Sequence, residues 1–177
     1  MGSSGVDYKD FKKYKKAFEK AYKEQEKFMI MLTKNITARL LTKVIKRTPV
    51  GDIDGGTLRQ GWTAGSEEDA RSSKDGDTSN YQEKKGKLQV TGLTGSEGYL
   101  SKIEVEQIGK DYKVTIINPV HYASYVESGH RTPKGNDWVP GRLMLTISEA
   151  EIRKDLPKII NAKVEKQLRK YMNDGLK

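Results

Sequence analysis

FKKYKKAFEKAYKEQEKFMIMLTKNITARLLTKVIKRTPV, residues 11–50, decides the architecture. Its apolar residues fall at Phe11, Tyr14, Phe18, Ala21, Phe28, Met29, Leu32, Ile36, Leu40, Leu41, Val44 and Ile45. Most steps are three or four residues, which draws one stripe along an α-helix. Neither Gly nor Pro interrupts Phe11 to Arg47, so the segment predicts a rod of roughly 50 Å. Thr48-Pro49 ends it, because the residue before a proline avoids the α region. The rear half is aliphatic and is expected in the core. The front half, to Lys27, is aromatic and lysine-rich, and a single small domain cannot bury it as well. Phe11, Tyr14, Phe18 and Tyr22 are therefore candidate contacts to a partner or a neighbouring subunit.

Downstream, residues 49–56 form a turn-rich loop, and Leu58 to Ala64 reads as a strand with Leu58 and Trp62 on one face. Residues 65–86 are rich in Ser, Asp, Glu, Lys and Gly, with Tyr81 the one large apolar side chain, and read as a mobile loop whose Tyr81 is a further candidate partner contact. A weak strand is expected at Lys87–Thr91. Two better ones are expected at Lys102–Ile108 and Tyr112–Asn118, joined by a hairpin turn at Gly109-Lys110-Asp111. Pro119-Val120 opens a short helix, His121–Ser128, closed by Gly129, and a loop runs from His130 to Gly141. The tail predicts one helical piece through Leu143, Leu145, Ile147 and Ile152, then a second capped by Asp155. The order is that of an α+β fold: a long N-terminal helix, a small, mainly antiparallel sheet of about three to four strands, a short helix and C-terminal helices.

With 177 residues the chain reads as a single domain, 1–177: a lysine-rich helical extension at 1–27, a core at 28–64 and 101–172, and the loop 65–100. It has no cysteine, which excludes a disulfide, a thiolate nucleophile and a Cys-ligated metal or cluster. No run is apolar for long enough to cross a membrane, and Met1–Gly5 lacks the apolar stretch of a signal peptide, so neither is expected.

Net charge is +9 and unevenly placed. Residues 1–47 carry 13 Lys/Arg against 5 Asp/Glu, residues 48–118 carry 9 against 12, and residues 119–177 carry 11 against 7. The lysines of the first segment would attract phosphate backbones or an acidic protein face. They equally suit a solvated helix face, the preferred reading, since bidentate phosphate recognition would favour arginine.

Both histidines, His121 and His130, lie near Glu127. His121 and Glu127 are six apart and point away from each other on a helix, so no metal site is expected. Nor does any nucleophile or oxyanion motif accompany a His130–Glu127 pair, which is expected to fix a turn, with Glu127 bound to His130 or Arg131. The glycines at 51–61 do not form a phosphate loop, because no Gly-Lys-Ser/Thr follows. Trp62 with Arg59 could stack on a nucleic-acid base, but a lone strand tryptophan is more often core.

Three blocks resemble the tail-component family of long-tailed phages, typified by the lambdoid gene-ten product, the tail completion or head–tail joining protein. The first is Thr48-Pro49-Val50, then Gly56-Thr57-Leu58-Arg59-Gln60-Gly61-Trp62. Here Asp54-Gly55 is inserted relative to the family pattern, and Gly61 replaces a usual serine. The second, and most specific, runs from Val114 to His130 and carries Asn118, Tyr122-Ala123, Glu127 and Gly129-His130. The third is Val139-Pro140-Gly141-Arg142-Leu143-Met144-Leu145. The blocks frame residues 30–170, and the resemblance says nothing of the lysine-rich helix before 28 or of 65–100. It implies a non-enzymatic virion assembly protein, made in the bacterial host cytoplasm and placed at the head–tail junction. Such a protein would form a homo-oligomeric ring around the DNA channel. It would meet neck, connector or tail-tube proteins, touch DNA non-specifically, and use no cofactor, catalytic residue or membrane. The alternative is a nucleic-acid-binding module using the basic N-terminal helix.

Overall fold

The computed structural model describes residues 8–50, 56–65, 81–84, 87–90 and 103–175. Helix α1 spans Tyr8–Arg47, followed by α2 (Thr57–Gln60), β1 (Thr63–Gly65), β2 (Tyr81–Lys84), β3 (Lys87–Val90), β4 (Glu106–Ile108), β5 (Asp111–Lys113), β6 (Thr115–Ile117), α3 (Ala123–Ser128), β7 (Gly129–Arg131), β8 (Trp138–Pro140) and α4 (Met144–Gly175). The fold is α+β. Its strands form antiparallel two-stranded ladders, β1 with β6, β2 with β3, β4 with β5 and β7 with β8.

The chain divides into two compact units, one of Met1–Leu32 with Asp155–Lys177 and the other of Thr33–Lys154. The second unit holds the main core. Leu41, Val44 and Ile45 from α1 meet Leu58, Trp62, Ala123 and Met144, and Ala64 of β1 and its cross-strand partner Ile116 of β6 pack against that cluster. Each fully buried aliphatic side chain contributes about 2 kcal/mol of transfer free energy, so this short-stranded unit leans on the aliphatic end of α1. On its surface, Lys43 and Arg47 reach Glu151 at 2.8 and 2.6 Å and hold its carboxyl below the ordinary glutamate range. In the first unit Ala17, Leu32 and Tyr171 are buried, and the Tyr171 hydroxyl donates to Glu24 at 3.0 Å.

Several sequence expectations change. Leu58 to Ala64 is not one strand: Thr57–Gln60 makes a helical turn and the strand begins at Thr63. Gly56 enters the turn with φ +94°, and the amides of Gln60 and Gly61 bond back to the Gly56 and Thr57 carbonyls. The strand expected from Lys102 is paired only over Glu106–Ile108, although Ile103 ahead of it is buried. Its hairpin partner starts at Asp111, so the turn is Gly109-Lys110, with Gly109 at φ +64°. The loop from His130 to Gly141 contains the β7–β8 hairpin. Asp155 caps no second helix, because α4 runs unbroken through Pro157. That proline forgoes one backbone hydrogen bond and crowds the preceding turn. Burial of α4 side chains in both units, Ile152 in one and Tyr171 in the other, offsets this. Residues 66–80, 85–86 and 91–102, most of the expected loop 65–100, lie outside the described residues; within that loop β2 and β3 pair from Tyr81↔Val90 to Lys84↔Lys87.

Candidate functional site

The residues of the first two sequence blocks converge in the Thr33–Lys154 unit. Thr48, the residue after α1, is fully buried. Its hydroxyl donates to the Val44 carbonyl at 2.8 Å and accepts from Trp62 Nε1 at 2.8 Å. Its carbonyl accepts both Arg59 Nε (2.9 Å) and Arg59 Nη2 (2.6 Å). The end of a helix leaves carbonyls without intrahelical donors, and Arg59 supplies two charge-assisted ones at that point. Pro49 follows directly and stops the helix from continuing. Asn118 joins this cluster from beyond β6: its Nδ2 donates to the Leu58 carbonyl at 2.7 Å, and its Oδ1 accepts from the Val120 amide at 3.2 Å. Gly61 makes room for it, since a Cβ there would stand 2.5 Å from Asn118 Oδ1. Trp62 is thus a hydrogen-bonded core residue, 7% exposed, and offers no face to a base.

The second constellation surrounds α3. Tyr122 precedes it, half-buried against the core, and Ala123 opens it, buried. Glu127 does not pair with His130 or Arg131. Its carboxylate sits at the start of α4, accepting the Leu145 amide (3.0 Å), the Thr146 amide (3.0 Å) and the Thr146 hydroxyl (2.8 Å). Helix N-termini carry unsatisfied N–H groups and partial positive charge, so a carboxylate is stabilised there. Partial burial, the largest single influence, pushes the Glu127 carboxyl up, but the amides of Thr146, Leu145 and Met144 and the Thr146 hydroxyl together hold it below the ordinary range. Gly129 ends α3 with φ +88°, its N–H bonded to the Tyr125 carbonyl, and Gly141 crosses it closely. His130 lies edge-on to Tyr125, ring centres 5.9 Å apart, and its Nδ1 is buried without a hydrogen-bond partner among the described residues.

Because the folded pKa of Glu127 is depressed, its capping contribution is complete above the ordinary glutamate range and is lost as pH falls through the lowered value. Glu127→Ala is expected to destabilise the protein by about 1–2 kcal/mol at neutral pH. That deficit should shrink as the native carboxylate is protonated; urea melts at neutral and acidic pH measure both quantities.

Candidate contact residues lie in the other unit. Phe11, Tyr14, Phe18 and Tyr22 are 59%, 39%, 64% and 74% exposed. Their spacing of three and four residues keeps them on one side of α1, with Tyr14, the least exposed, bordering buried Ala17 one turn on. Tyr81 begins β2. Sequence reasoning missed two further exposed aromatics in the Thr33–Lys154 unit: Trp138 on β8 and Tyr125 on α3 are 60% and 57% exposed. A tryptophan isolated in a polar stretch, Asn136-Asp137-Trp138, was the available signal. No group of three or more metal-ligating side chains is gathered among the described residues, and no helix there is long and apolar enough to cross a membrane.

A family model described as "Bacteriophage HK97-gp10, putative tail-component" matches residues 9–129. The match begins earlier than the sequence blocks, taking in the lysine-rich turns of α1, and stops at Gly129, before the β7–β8 hairpin closes. No curated protein and no solved structure matches the chain.

Proposed function

We propose, from the premise that this chain belongs to the HK97-gp10-like family of bacteriophage tail components, that it acts at the head-proximal end of the tail as a tail completion or head–tail joining protein. In this reading it is a non-enzymatic virion protein that assembles as a ring around the DNA channel, against neck, connector or tail-tube proteins. The aromatic row of α1 carries the proposal. Aromatic side chains at this exposure leave apolar surface in water, and such side chains anchor protein interfaces. A head-to-tail ring needs two different surfaces on each subunit. The α1 row and the exposed Trp138 on β8 offer two such surfaces, and they lie in different units. A structural role also suits Glu127, whose two oxygens are engaged by α4 and so are not offered to His130 as a general base.

In a phage genome carrying the double substitution Phe18→Asp/Tyr22→Asp, infectious titre is expected to fall by about two orders of magnitude or more, because each buried interface aromatic is worth about 2 kcal/mol or more. Electron micrographs should show filled heads and free tails apart, while the purified variant keeps its helical spectrum and melting midpoint. Full infectivity from that genome would remove the aromatic row from assembly. A second reading, nucleic-acid binding, draws on the Met1–Leu32/Asp155–Lys177 unit, which carries 14 Lys/Arg against 8 Asp/Glu. It requires duplex DNA affinity that falls steeply with salt, and partner binding that does not.

A further inference from the structure

Within the unit of Met1–Leu32 and Asp155–Lys177, α1 and α4 leave a groove of about 630 Å³ between them. Phe28 and Met31 of α1 give it apolar lining, and Lys163, Lys166, Arg169 and Lys170 of α4 give it positive charge. We infer that this groove is the seat of an acidic protein segment bearing one apolar anchor side chain, a binding site separate from the aromatic row of α1.

The charge pattern comes first. Lys163, Lys166 and Lys170 stand at i, i+3 and i+7, so they climb one side of α4 in steps of about 4.5 and 6 Å. Like charges at these spacings weaken a helix, and here several such pairs coincide. Arg169 is relieved by Glu165 at 2.6 Å. None of the three lysines has an ion-pair partner among the described residues. Carboxylates laid along this row would relieve repulsion that the unit otherwise sustains, and an extended chain presents every second side chain to one side at about 6.8 Å.

The apolar component selects protein over duplex DNA. Met31 is 61% exposed and Phe28 half-buried in the same groove. A phosphate backbone gains nothing from a thioether or a phenyl ring, and bidentate phosphate recognition uses arginine, whereas this row is lysine with one already paired arginine. Exposed methionine adapts its shape to an incoming apolar side chain. Cationic rim and apolar lining together fit a peptide that is acidic along its length and apolar at one point.

The test uses the full-length chain and a short dye-labelled glutamate-rich peptide with one central phenylalanine, read by fluorescence anisotropy. Binding is expected to weaken about tenfold or more in Lys166→Gln/Lys170→Gln, and to stay unchanged in the charge-matched control Lys16→Gln/Lys23→Gln on α1. Exchanging the peptide's phenylalanine for serine should weaken binding to the native chain but not to Met31→Ser. Circular dichroism of each variant establishes that it is folded. Equal losses in the groove and control variants would show a diffuse charge effect and overturn the site. So would absence of binding at low salt, or a duplex DNA competitor that displaces the peptide while the phenylalanine makes no difference.

Discussion

Trp62→Ala is expected to lower stability by about 3–5 kcal/mol, a large part of the roughly 5–15 kcal/mol that holds a domain of ordinary stability together. The indole is 7% exposed and stands among Leu41, Val44, Ile45, Leu58, Ala123 and Met144, which come from four separate helices. No single neighbour can move to fill its volume without leaving another gap. The Thr48 hydroxyl would also lose its donor while still bonding Val44, so one acceptor is stranded at a fully buried position. Trp62→Phe separates these effects. It keeps most of the ring volume and drops the N–H, and is expected to cost about 1–2 kcal/mol. Urea unfolding followed by circular dichroism measures both. Fluorescence gives an independent readout, since the chain has two tryptophans and the other, Trp138, is 60% exposed. The alanine variant should therefore lose the buried-indole component of emission even under native conditions. Unfolding midpoints equal to the native one in both variants would contradict the packing described for this unit.

The long helix is legible in the sequence because apolar steps mostly of three and four, with neither Gly nor Pro over residues 11–47, favour a helix, and Thr48-Pro49 supplies the stop. Leu58 and Trp62 show where periodicity fails. A separation of four residues is two strand repeats or about one helical turn, so either conformation puts both side chains inward. The left-handed backbone of Gly56 starts a helical turn there, and a single glycine does not reveal its own φ. At Asp155 the local rule is overridden. An N-cap is worth about 1 kcal/mol and interior proline costs about 3 kcal/mol, yet both are outweighed when a continuous helix buries side chains above and below the proline. The three-residue strands β7 and β8 are too short to show alternation, and their place follows from the crossing of Gly129 and Gly141. Glu127 is the clearest case at the candidate site. Neighbours in sequence suggested His130 or Arg131, whereas its partners lie 18 and 19 residues on. No spacing rule connects a helix C-terminal turn to the amides of another helix. The lysine row of α4 was open to a helical-wheel reading, but the groove exists only once Phe28 and Met31 stand beside it.

Gly141→Ala is expected to destabilise by about 3 kcal/mol, near the upper end for an added methyl in a packed site. A Cβ at Gly141 would press on the Glu127 carbonyl oxygen and stand 2.6 Å from both Gly129 N and Ser128 C. All three are backbone atoms, so no side chain can turn aside, and the segments themselves must separate. What they hold is specific. The Arg142 amide bonds the Val126 carbonyl at 2.7 Å, and the Leu143 amide bonds the Glu127 carbonyl at 3.0 Å. One residue further on, α4 begins with its amides against the Glu127 carboxylate. Parting the crossing therefore loosens the cap as well as the contact. For a chain of this length the melting midpoint should drop by about 6–12 °C. Gly135→Ala is the control: its φ is +71°, but nothing lies within 4 Å of a Cβ there, so only the left-handed penalty of about 1 kcal/mol applies. If the crossing and the cap form one unit, Glu127→Ala placed on Gly141→Ala should cost less than it does in the native chain. Strict additivity in that double-mutant cycle would mean that α4 is anchored independently of the glycine crossing.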